Sequence, residues 1–296
     1  MIREYNYHTR VMGCDFDMTF IAKTAAQADR YFTQAYNIAK SFEKKFSRFD
    51  RNSELSFANK NKSLKVSQEF LEVYWVAYDL YKKTHKQFNP LVQVSCIGYD
   101  KTFEKITDCK TDDLNKSDYN INLDDVVILP HRMILQDSQR LDFGGFLKGY
   151  VAQRIAEDIN SGYGIIINIG GDMYVRDSGQ DGKKFIVEIA HPKDESKNIF
   201  FSVLNKALCT SGTYKRTWTS HHGKKHHILD TKTKDSTRTD IMSASVIHEK
   251  GAVADAYATL AVTLGSQKAK KFFDEQQVEF VLVCSNGDII TSDNFK

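Results

Sequence analysis

Apolar residues recur at helical spacing over two long stretches early in the chain and form shorter runs elsewhere. The apolar residues within 11–22 predict a strand. Thr24 is a favourable N-cap for a predicted helix that runs to about Phe46. A polar, turn-rich segment is predicted over 47–56, and a second apolar stripe predicts a helix over 67–85.

The rest of the chain predicts a mixture of strands and helices. Residues 99–123 are charged and weakly patterned, which predicts a surface excursion. No repeat or linker divides the chain, so we predict an α+β fold of mixed and antiparallel strands with packed helices, in a single domain over 1–296. The other predicted elements are short strands near 126–129 and 133–136, a helix ending near Asn160, a strand over 164–169, alternating strands over 173–210, an alanine-rich helix over 251–265, and a closing helix and hairpin turned at Asn286-Gly287.

Composition favours a globular protein and argues against one class of function. Apolar residues make up 41% and charged residues 27% of the chain, which is typical of soluble globular proteins. The 41 basic and 38 acidic residues leave a net charge of +3, whereas a duplex nucleic-acid binder needs a concentrated basic face. The basic run at 221–227 is more typical of a solvated loop. The five cysteines show no zinc-site or dithiol spacing, so we expect reduced, buried thiols.

The N-terminal residues bear on where the protein acts. They contain no apolar h-region, and no segment approaches the roughly 20 apolar residues of a membrane-spanning helix. We expect a cytoplasmic protein from the sequence as given. If the sequence begins after a removed leader, the expected location is outside the cytoplasm.

Three glycine-bearing turns each stand beside a polar residue. Backbone N–H groups of such a turn can approach a phosphate closely when the turn opens a helix, and a nearby lysine would add positive charge. An ordinary tight turn is the commoner reading, and the chain contains neither a Walker A loop nor a Rossmann fingerprint. The residues alone leave both readings open. The three turns are Asp142-Phe-Gly-Gly-Phe-Leu-Lys148, Asn168-Ile-Gly-Gly-Asp172 and Thr210-Ser-Gly212.

Asp255 is the one charged residue in the alanine-rich segment 251–265. A buried carboxylate is costly unless something compensates it, and Mg²⁺ prefers oxygen ligands. Thr259 follows four residues later, so on a helix its hydroxyl shares a face with the carboxylate. The alternative is that Asp255 complements the N-terminal dipole of its own helix. The residue types do not separate these two interpretations.

His226 and His227 precede Ile228 in a predicted strand, where alternation sends the two rings to opposite faces. At most one ring is therefore expected to face a site, as the proton acceptor for an attacking hydroxyl. A partly exposed structural histidine is the alternative.

Taken in order, these segments resemble the ApbE family of FAD:protein FMN transferases over nearly the whole chain. Each segment alone is a modest signal, but their shared order is specific because independent false matches do not line up. The matching stretches are Val11-Met-Gly13, Phe46-Ser-Arg-Phe-Asp-Arg-Asn-Ser-Glu-Leu55, Phe88-Asn-Pro90, Leu141-Asp-Phe-Gly-Gly-Phe-Leu-Lys-Gly149, Ile167-Asn-Ile-Gly-Gly-Asp172, Thr210-Ser-Gly-Thr-Tyr214, His227-Ile-Leu-Asp230 and Ala254-Asp-Ala-Tyr-Ala-Thr259.

The resemblance implies roles for particular residues. It implies that Asp255 and Thr259 provide side-chain ligands to Mg²⁺ and that the backbone carbonyl of Gly145 completes the protein's share. It implies that His227 lies near the reacting phosphates. The implied FAD contacts are Met12, Asp142, Lys148, Asp172, Thr210, Ser211 and Gly212.

The chain departs from the family pattern directly after this histidine. Members commonly continue with Asp-Pro-x-Thr-Gly, whereas the present sequence is Asp230-Thr-Lys-Thr-Lys234.

The resemblance also implies an activity. The expected fold is α+β and related to the T-fold, and the expected reaction moves FMN from FAD, as substrate, to a Thr or Ser hydroxyl of an acceptor flavoprotein, with release of AMP. Asp255 is expected to act in catalysis through the metal, and His227 by accepting a proton. Family acceptors carry a Ser-Gly-Ala-Thr-like motif that this chain lacks, so we expect the modifying enzyme rather than its own substrate. The alternatives are an FAD pyrophosphatase that forms FMN and AMP, a protein that holds FAD without turnover, and a domain with purely structural glycine turns.

Overall fold

The helices of the computed structural model follow the predicted order closely. The structure describes residues 1–98, 119–130, 132–220, 223–293 and 295. The α-helices in these ranges are α1 (Ala25–Phe46), α2 (Glu54–Asn61), α3 (Gln68–Lys83), α4 (Leu147–Asp158), α5 (Gly251–Leu264) and α6 (Ser266–Glu275).

The strands in these ranges are β1 (Arg3–Val11), β2 (Cys14–Ala22), β3 (Ser63–Lys65), β4 (Val127–Leu129), β5 (Arg132–Ile134), β6 (Ile165–Ile169), β7 (Asp172–Arg176), β8 (Phe185–Ile189), β9 (Ile199–Val203), β10 (Lys206–Gly212), β11 (Thr217–Ser220), β12 (Gly223–His226), β13 (Ile241–His248), β14 (Glu279–Cys284) and β15 (Ile289–Thr291). Within the described residues, strands β6 to β13 follow one another without an intervening α-helix, and strands pair antiparallel wherever pairing is described, which confirms the predicted α+β class.

The chain divides into two compact units. The first comprises residues 1–43, 146–212 and 240–296, and the second comprises 44–145 and 213–239. The prediction of one domain over 1–296 stays a prediction beside this division.

An eight-stranded sheet is the centre of the first unit. Its strand order is β1-β2-β6-β7-β10-β13-β14-β15, and β8 and β9 form a separate pair. Strands β6 and β13 are largely buried, as are the middle of β10 and the facing sides of α4 and α5. The second unit contains α2 and α3, a three-stranded sheet ordered β3-β5-β4, and the β11–β12 hairpin.

The predicted strand over 11–22 is wrong at its start, because the chain reverses there. Met12 and Gly13 have φ angles of 54° and 71°, and Val11 pairs with Cys14 across the turn. Two consecutive left-handed residues are typical of the tightest hairpin turns. The apolar pattern predicted a strand through this turn because Met12 is apolar, whereas Asn or Asp usually occupies the first position of such a turn.

Helix α2 replaces the end of the predicted polar turn at 47–56. Ser53 caps it, accepting a hydrogen bond from the backbone N–H of Ser56 at 2.9 Å. The apolar signal is weak because the helix has few buried residues, among them Leu55 and Ala58.

Two further sequence predictions concern burial. The surface excursion predicted over 99–123 lies outside the described residues from 99 to 118, while Tyr119 and Leu123 at its described end are buried. The described cysteines are buried and form no disulfide with one another, as expected; they are Cys14, Cys96, Cys209 and Cys284. None of the helices in the described ranges combines the length and the apolar character that a bilayer crossing requires.

Helices α4 and α5 approach each other at a pair of glycines. A Cβ atom built on Gly149 would lie 2.8 Å from the Cβ of Asp255 and would also collide with the backbone carbonyl of Gly251. The reciprocal Cβ on Gly251 would collide with the carbonyl of Gly149. Because backbone atoms cannot give way as a flexible side chain can, glycine is required on both helices.

We predict that Gly149→Ala lowers the free energy of unfolding by about 1–3 kcal/mol, the usual cost of overpacking a core. The measurement is urea unfolding followed by circular dichroism. Gly179→Ala is the matched control, since its new Cβ would meet its nearest atom at an ordinary 3.5 Å. An unchanged midpoint for Gly149→Ala would contradict the close helix crossing.

Candidate active site

Helix α5 carries its one charged side chain in a buried position. Asp255 is 2% exposed, and it lies beyond the first turn of α5, where the dipole of that helix has faded. Its Oδ2 accepts a hydrogen bond of 3.0 Å from the backbone N–H of Gly149, in the first turn of α4. The N-cap of α4, Phe146, provides no capping side chain. Asp255 therefore satisfies the N-terminus of α4 rather than that of its own helix.

The second oxygen of this carboxylate remains available. No hydrogen bond to Oδ1 of Asp255 forms within the part of the chain that the structure describes. One helical turn later, the Thr259 hydroxyl lies 3.0 Å from that of Ser211 on β10. The pair at i and i+4 thus offers a carboxylate oxygen and a hydroxyl oxygen on one side of α5.

A buried ion pair lies beside this helix crossing. Lys148, the residue before Gly149, forms an ion pair with Oδ2 of Asp172, which is 1% exposed. The other oxygen of Asp172 accepts a 3.1 Å hydrogen bond from the backbone N–H of Thr210. The Thr210 hydroxyl lies 2.8 Å from that of Ser245. Both oxygens of the buried Asp172 carboxylate therefore have a partner, as burial requires.

The Cys209 thiol lies beside these charged groups and is itself neutral. It is fully buried, and its Sγ lies 3.8 Å from the carbonyl oxygen of Gly251. Burial, followed by the nearby charge of Asp255, raises the pKa of this thiol well above its usual range. The thiol consequently stays protonated and adds no charge to the site.

These contacts form a closed circuit within the first unit. From Lys148 the circuit passes to Asp172 and to Thr210 near the end of β10, continues through the hydroxyls of Ser211 and Thr259, and returns through Asp255 to Gly149. The structure thereby brings together six of the predicted site residues: Lys148, Asp172, Thr210, Ser211, Asp255 and Thr259. Gly212 ends the same strand, β10, so the turn predicted at Thr210-Ser-Gly212 is wrong: these residues pair with β13 in the sheet.

Met12 lies in the β1–β2 turn. Its backbone N–H donates a 2.8 Å hydrogen bond to Oε1 of Glu43. This contact holds the turn to α1 but does not join Met12 to the circuit.

The Gly170-Gly171 pair is a tight turn between β6 and β7. Both residues have positive φ angles, 65° and 99°, and the N–H of Gly171 donates to Oδ1 of Asn168 at 2.9 Å. At this position the ordinary turn accounts for the glycines, and it places Asp172 at the start of β7.

In the second unit, Asp142 is held by an arginine that the sequence did not single out. Arg48 NH1 lies 2.5 Å from Oδ2 of Asp142, and the guanidinium stacks on the Phe49 ring at 4.5 Å from its centre. Oδ1 accepts a 2.8 Å hydrogen bond from the N–H of Gly144. Arg48 stands in a polar segment 94 residues before Asp142, so no local pattern connects the two.

The predicted strand around the two histidines ends earlier than expected. Strand β12 stops at His226, so strict alternation does not apply to His227. The His226 Nδ1 accepts from the N–H of Ile228 at 3.3 Å, and Nε2 lies 2.9 Å from the carbonyl oxygen of Thr237, to which it donates. Burial lowers the pKa of His226. His226 is therefore a structural histidine, and a role for His227 stays a prediction.

The departure from the family pattern after Asp230 has a visible backbone consequence. Lys234, at the position where the family commonly has glycine, adopts a φ of 55°. A left-handed conformation costs a non-glycine residue about 1–2 kcal/mol. The lysine Nζ lies 4.3 Å from the centre of the Tyr119 ring and donates to its backbone carbonyl at 2.9 Å, which offsets this cost.

The predicted residues fall on both units. Asp142, Gly145 and His227 belong to the second unit, whereas the circuit around Asp255 belongs to the first. That the residues of the two units form one site stays a prediction. Across the described ranges, no three His, Cys, Asp or Glu side chains are grouped as a metal site. A magnesium ion does not require such a group, because proteins often hold it through one or two carboxylates together with substrate phosphates.

Similarity to curated proteins extends over most of the chain. A protein named FAD:protein FMN transferase from Buchnera aphidicola subsp. Baizongia pistaciae is 26% identical over 97% of this chain and 90% of its own length. A protein of the same name from Treponema pallidum is 26% identical over 64% of this chain and 58% of its own length.

Solved structures share the fold across nearly the full length. The flavin transferase ApbE of Vibrio cholerae aligns with a TM-score of 0.83 at 18% identity, covering 100% of this chain and 99% of its own. The ApbE protein of Thermotoga maritima aligns with a TM-score of 0.86 at 20% identity, covering 99% and 98%. The family model described as the ApbE family matches residues 12–282. This chain therefore belongs to the ApbE family.

Proposed function

We propose that this protein is an Mg²⁺-dependent enzyme that transfers FMN from FAD to a serine or threonine hydroxyl of an acceptor flavoprotein and releases AMP. The observation that carries the proposal is the buried Asp255 carboxylate, which has one oxygen fixed by Gly149 and the other left without a hydrogen bond in the described part of the chain. Family membership and relatives named FAD:protein FMN transferase support the same reaction.

The donor set around Asp255 fits Mg²⁺. A carboxylate oxygen and the hydroxyl of Thr259 are hard oxygen donors, and the backbone carbonyl of Gly145 is the third group that we assign to the ion. When bound, Mg²⁺ offsets negative charge on the FAD pyrophosphate and on the departing AMP. The hydrogen bond from the Gly149 N–H also fixes the rotamer of Asp255, so the carboxylate is oriented before any ion binds.

Lys148 and its partners are suited to hold phosphate oxygens. An ammonium group has three N–H donors, so the ion pair with Asp172 leaves donors for a ligand. Asp172 fixes the position of that ammonium and, through the N–H of Thr210, the end of strand β10, which Thr210, Ser211 and Gly212 form. We assign these residues to the binding and orientation of FAD, together with Met12 and with Asp142, which Arg48 holds in place.

The proposed step is an in-line displacement at the FMN-side phosphorus. The acceptor hydroxyl oxygen forms the new P–O bond, while the bond to the bridging oxygen breaks and its electron pair leaves with AMP. We assign His227 to accept the hydroxyl proton, which then passes to solvent.

The direct test mixes the protein with FAD, Mg²⁺ and an acceptor domain that carries a Ser-Gly-Ala-Thr-like motif. We expect the acceptor to gain the mass of an FMN ester, detected by intact-protein mass spectrometry, with one AMP released for each acceptor modified. AMP and free FMN formed at the same rate without acceptor would instead establish a pyrophosphatase. FAD that is bound but left intact would establish a binding protein.

Asp255→Asn is predicted to lower the rate of transfer by about 10²-fold or more, because several kcal/mol of charge stabilisation depend on the metal. The asparagine oxygen can still accept from Gly149, so the unfolding midpoint should change little. Asp274→Asn, an exposed aspartate on α6, is the matched control. Equal rates for wild type and Asp255→Asn at saturating Mg²⁺ would contradict the assignment.

The Lys148–Asp172 ion pair gives a prediction that distinguishes a role in protein stability from a role in FAD binding. Lys148→Gln leaves Asp172 buried without its cation and is expected to lower stability by about 3 kcal/mol. The double variant Lys148→Gln/Asp172→Asn removes both charges and should recover most of that loss. FAD affinity, measured by fluorescence titration, should remain weak in both. Recovery of FAD binding in the double variant would show that Lys148 serves the fold alone.

His227→Gln is predicted to lower kcat by about 10²–10⁴-fold, the range for loss of a general base. The KM for FAD should stay near the wild-type value, because the change removes a proton acceptor and not a phosphate contact. Steady-state assays with saturating acceptor measure both constants. A rise in KM at unchanged kcat would move His227 from proton transfer to binding.

A further inference from the structure

A small polar cavity lies within the second unit, beside the β11–β12 hairpin. Its volume is about 230 Å³, below the roughly 300–1,000 Å³ of pockets that hold drug-sized ligands. Every lining residue that the structure describes is a threonine, a serine, a histidine, a lysine or an arginine. A cavity so small and so rich in donors suits a compact anion rather than an apolar molecule. The proposed flavin transfer assigns none of these residues.

Two of the lining cations carry the net charge of the cavity. Lys225 is 3% exposed and lies 2.7 Å from each oxygen of Asp235, so its charge is neutralised. Lys224 and Arg238 are exposed, and neither forms an ion pair with any residue in the described ranges. Positive charge at Lys224 also contributes to the lowered pKa of His226, after the larger effect of burial. About two positive charges are thus left for a ligand.

The wall between these cations is held by internal hydrogen bonds. The Ser236 hydroxyl accepts from the N–H of His226 at 2.9 Å and donates to its carbonyl at 2.7 Å. The His226 ring is occupied at both nitrogens, by Ile228 and Thr237. These groups hold the hairpin to the segment that follows it. The donors that this wall offers to a ligand are Lys224, Arg238 and the hydroxyls of Thr213 and Thr217.

We propose that this cavity is a binding site for a phosphate group. A phosphate carries about 1.5–2 negative charges near neutral pH, which matches the charge left by Lys224 and Arg238. Arginine binds two phosphate oxygens at once and lysine adds a point charge. The threonine hydroxyls of Thr213 and Thr217 donate to the remaining oxygens. The phosphate comes either from inorganic phosphate or from a nucleoside monophosphate such as AMP.

The test is isothermal titration of the full chain with inorganic phosphate and, separately, with AMP, in the absence of FAD and at constant ionic strength. Lys224→Gln/Arg238→Gln removes the two cations that the site requires. Lys184→Gln/Lys268→Gln removes the same charge at two exposed lysines of the first unit and is the matched control.

We expect saturable binding to wild type and to the control, and an affinity at least tenfold weaker for the Lys224/Arg238 variant. Tighter binding of AMP than of phosphate would assign a nucleotide to the site, and the reverse order would assign free phosphate. Equal affinity of the Lys224/Arg238 variant, or no saturable binding to wild type, would overturn the proposal. Because no FAD is present, either result leaves the test of FMN transfer separate.

Discussion

The hydrogen bond from the backbone N–H of Gly149 to the carboxylate of Asp255 is the contact on which the candidate site depends. It forms because α4 and α5 cross with glycine on both sides, so that backbone meets backbone. The bond supplies α4 with the cap that Phe146 does not provide, and it gives a buried carboxylate a partner. This one hydrogen bond therefore satisfies an N–H group at the start of α4 and also a carboxylate oxygen that is shielded from water.

The same crossing orders the neighbouring polar groups. Lys148 precedes Gly149 in the chain. Because the first turn of α4 is held in place, the backbone position from which the Lys148 side chain reaches Asp172 is also fixed. From the other side, the hydroxyl contact between Ser211 and Thr259 ties β10 to α5. The result is a set of charges and hydroxyls whose positions are established by the fold before a ligand binds, which is the arrangement that favours electrostatic catalysis.

Much of the fold could be predicted from the sequence, since it depends on local patterns. Spacing and turn chemistry predicted the alanine-rich α5, the start of α1, where the Thr24 hydroxyl accepts from the N–H of Gln27, and the β14–β15 hairpin turned at Asn286-Gly287. The turn at Met12 could not be predicted in this way, because an apolar residue occupies a left-handed position. Helix α2 was missed because it buries few residues and therefore has a weak stripe.

The residues of the candidate site were predicted better than the contacts among them. Asp255 stood out as a lone charge among alanines, and its spacing to Thr259 placed both on one face. Its partner Gly149 lies 106 residues away, and Arg48 lies 94 residues from Asp142. Contacts across such separations are set by how helices and strands pack, for which the sequence shows no periodic signal. The family resemblance supplied roles for these residues but not their hydrogen bonds.

The central claim is that Oδ1 of Asp255 is a metal ligand in the presence of FAD. Electron paramagnetic resonance of Mn²⁺, used in place of Mg²⁺, measures this directly by counting the free ion as protein is added. With FAD present, wild type should bind one Mn²⁺ per chain and Asp255→Asn should bind it at least about tenfold more weakly. Equal Mn²⁺ binding by the two proteins would contradict the account.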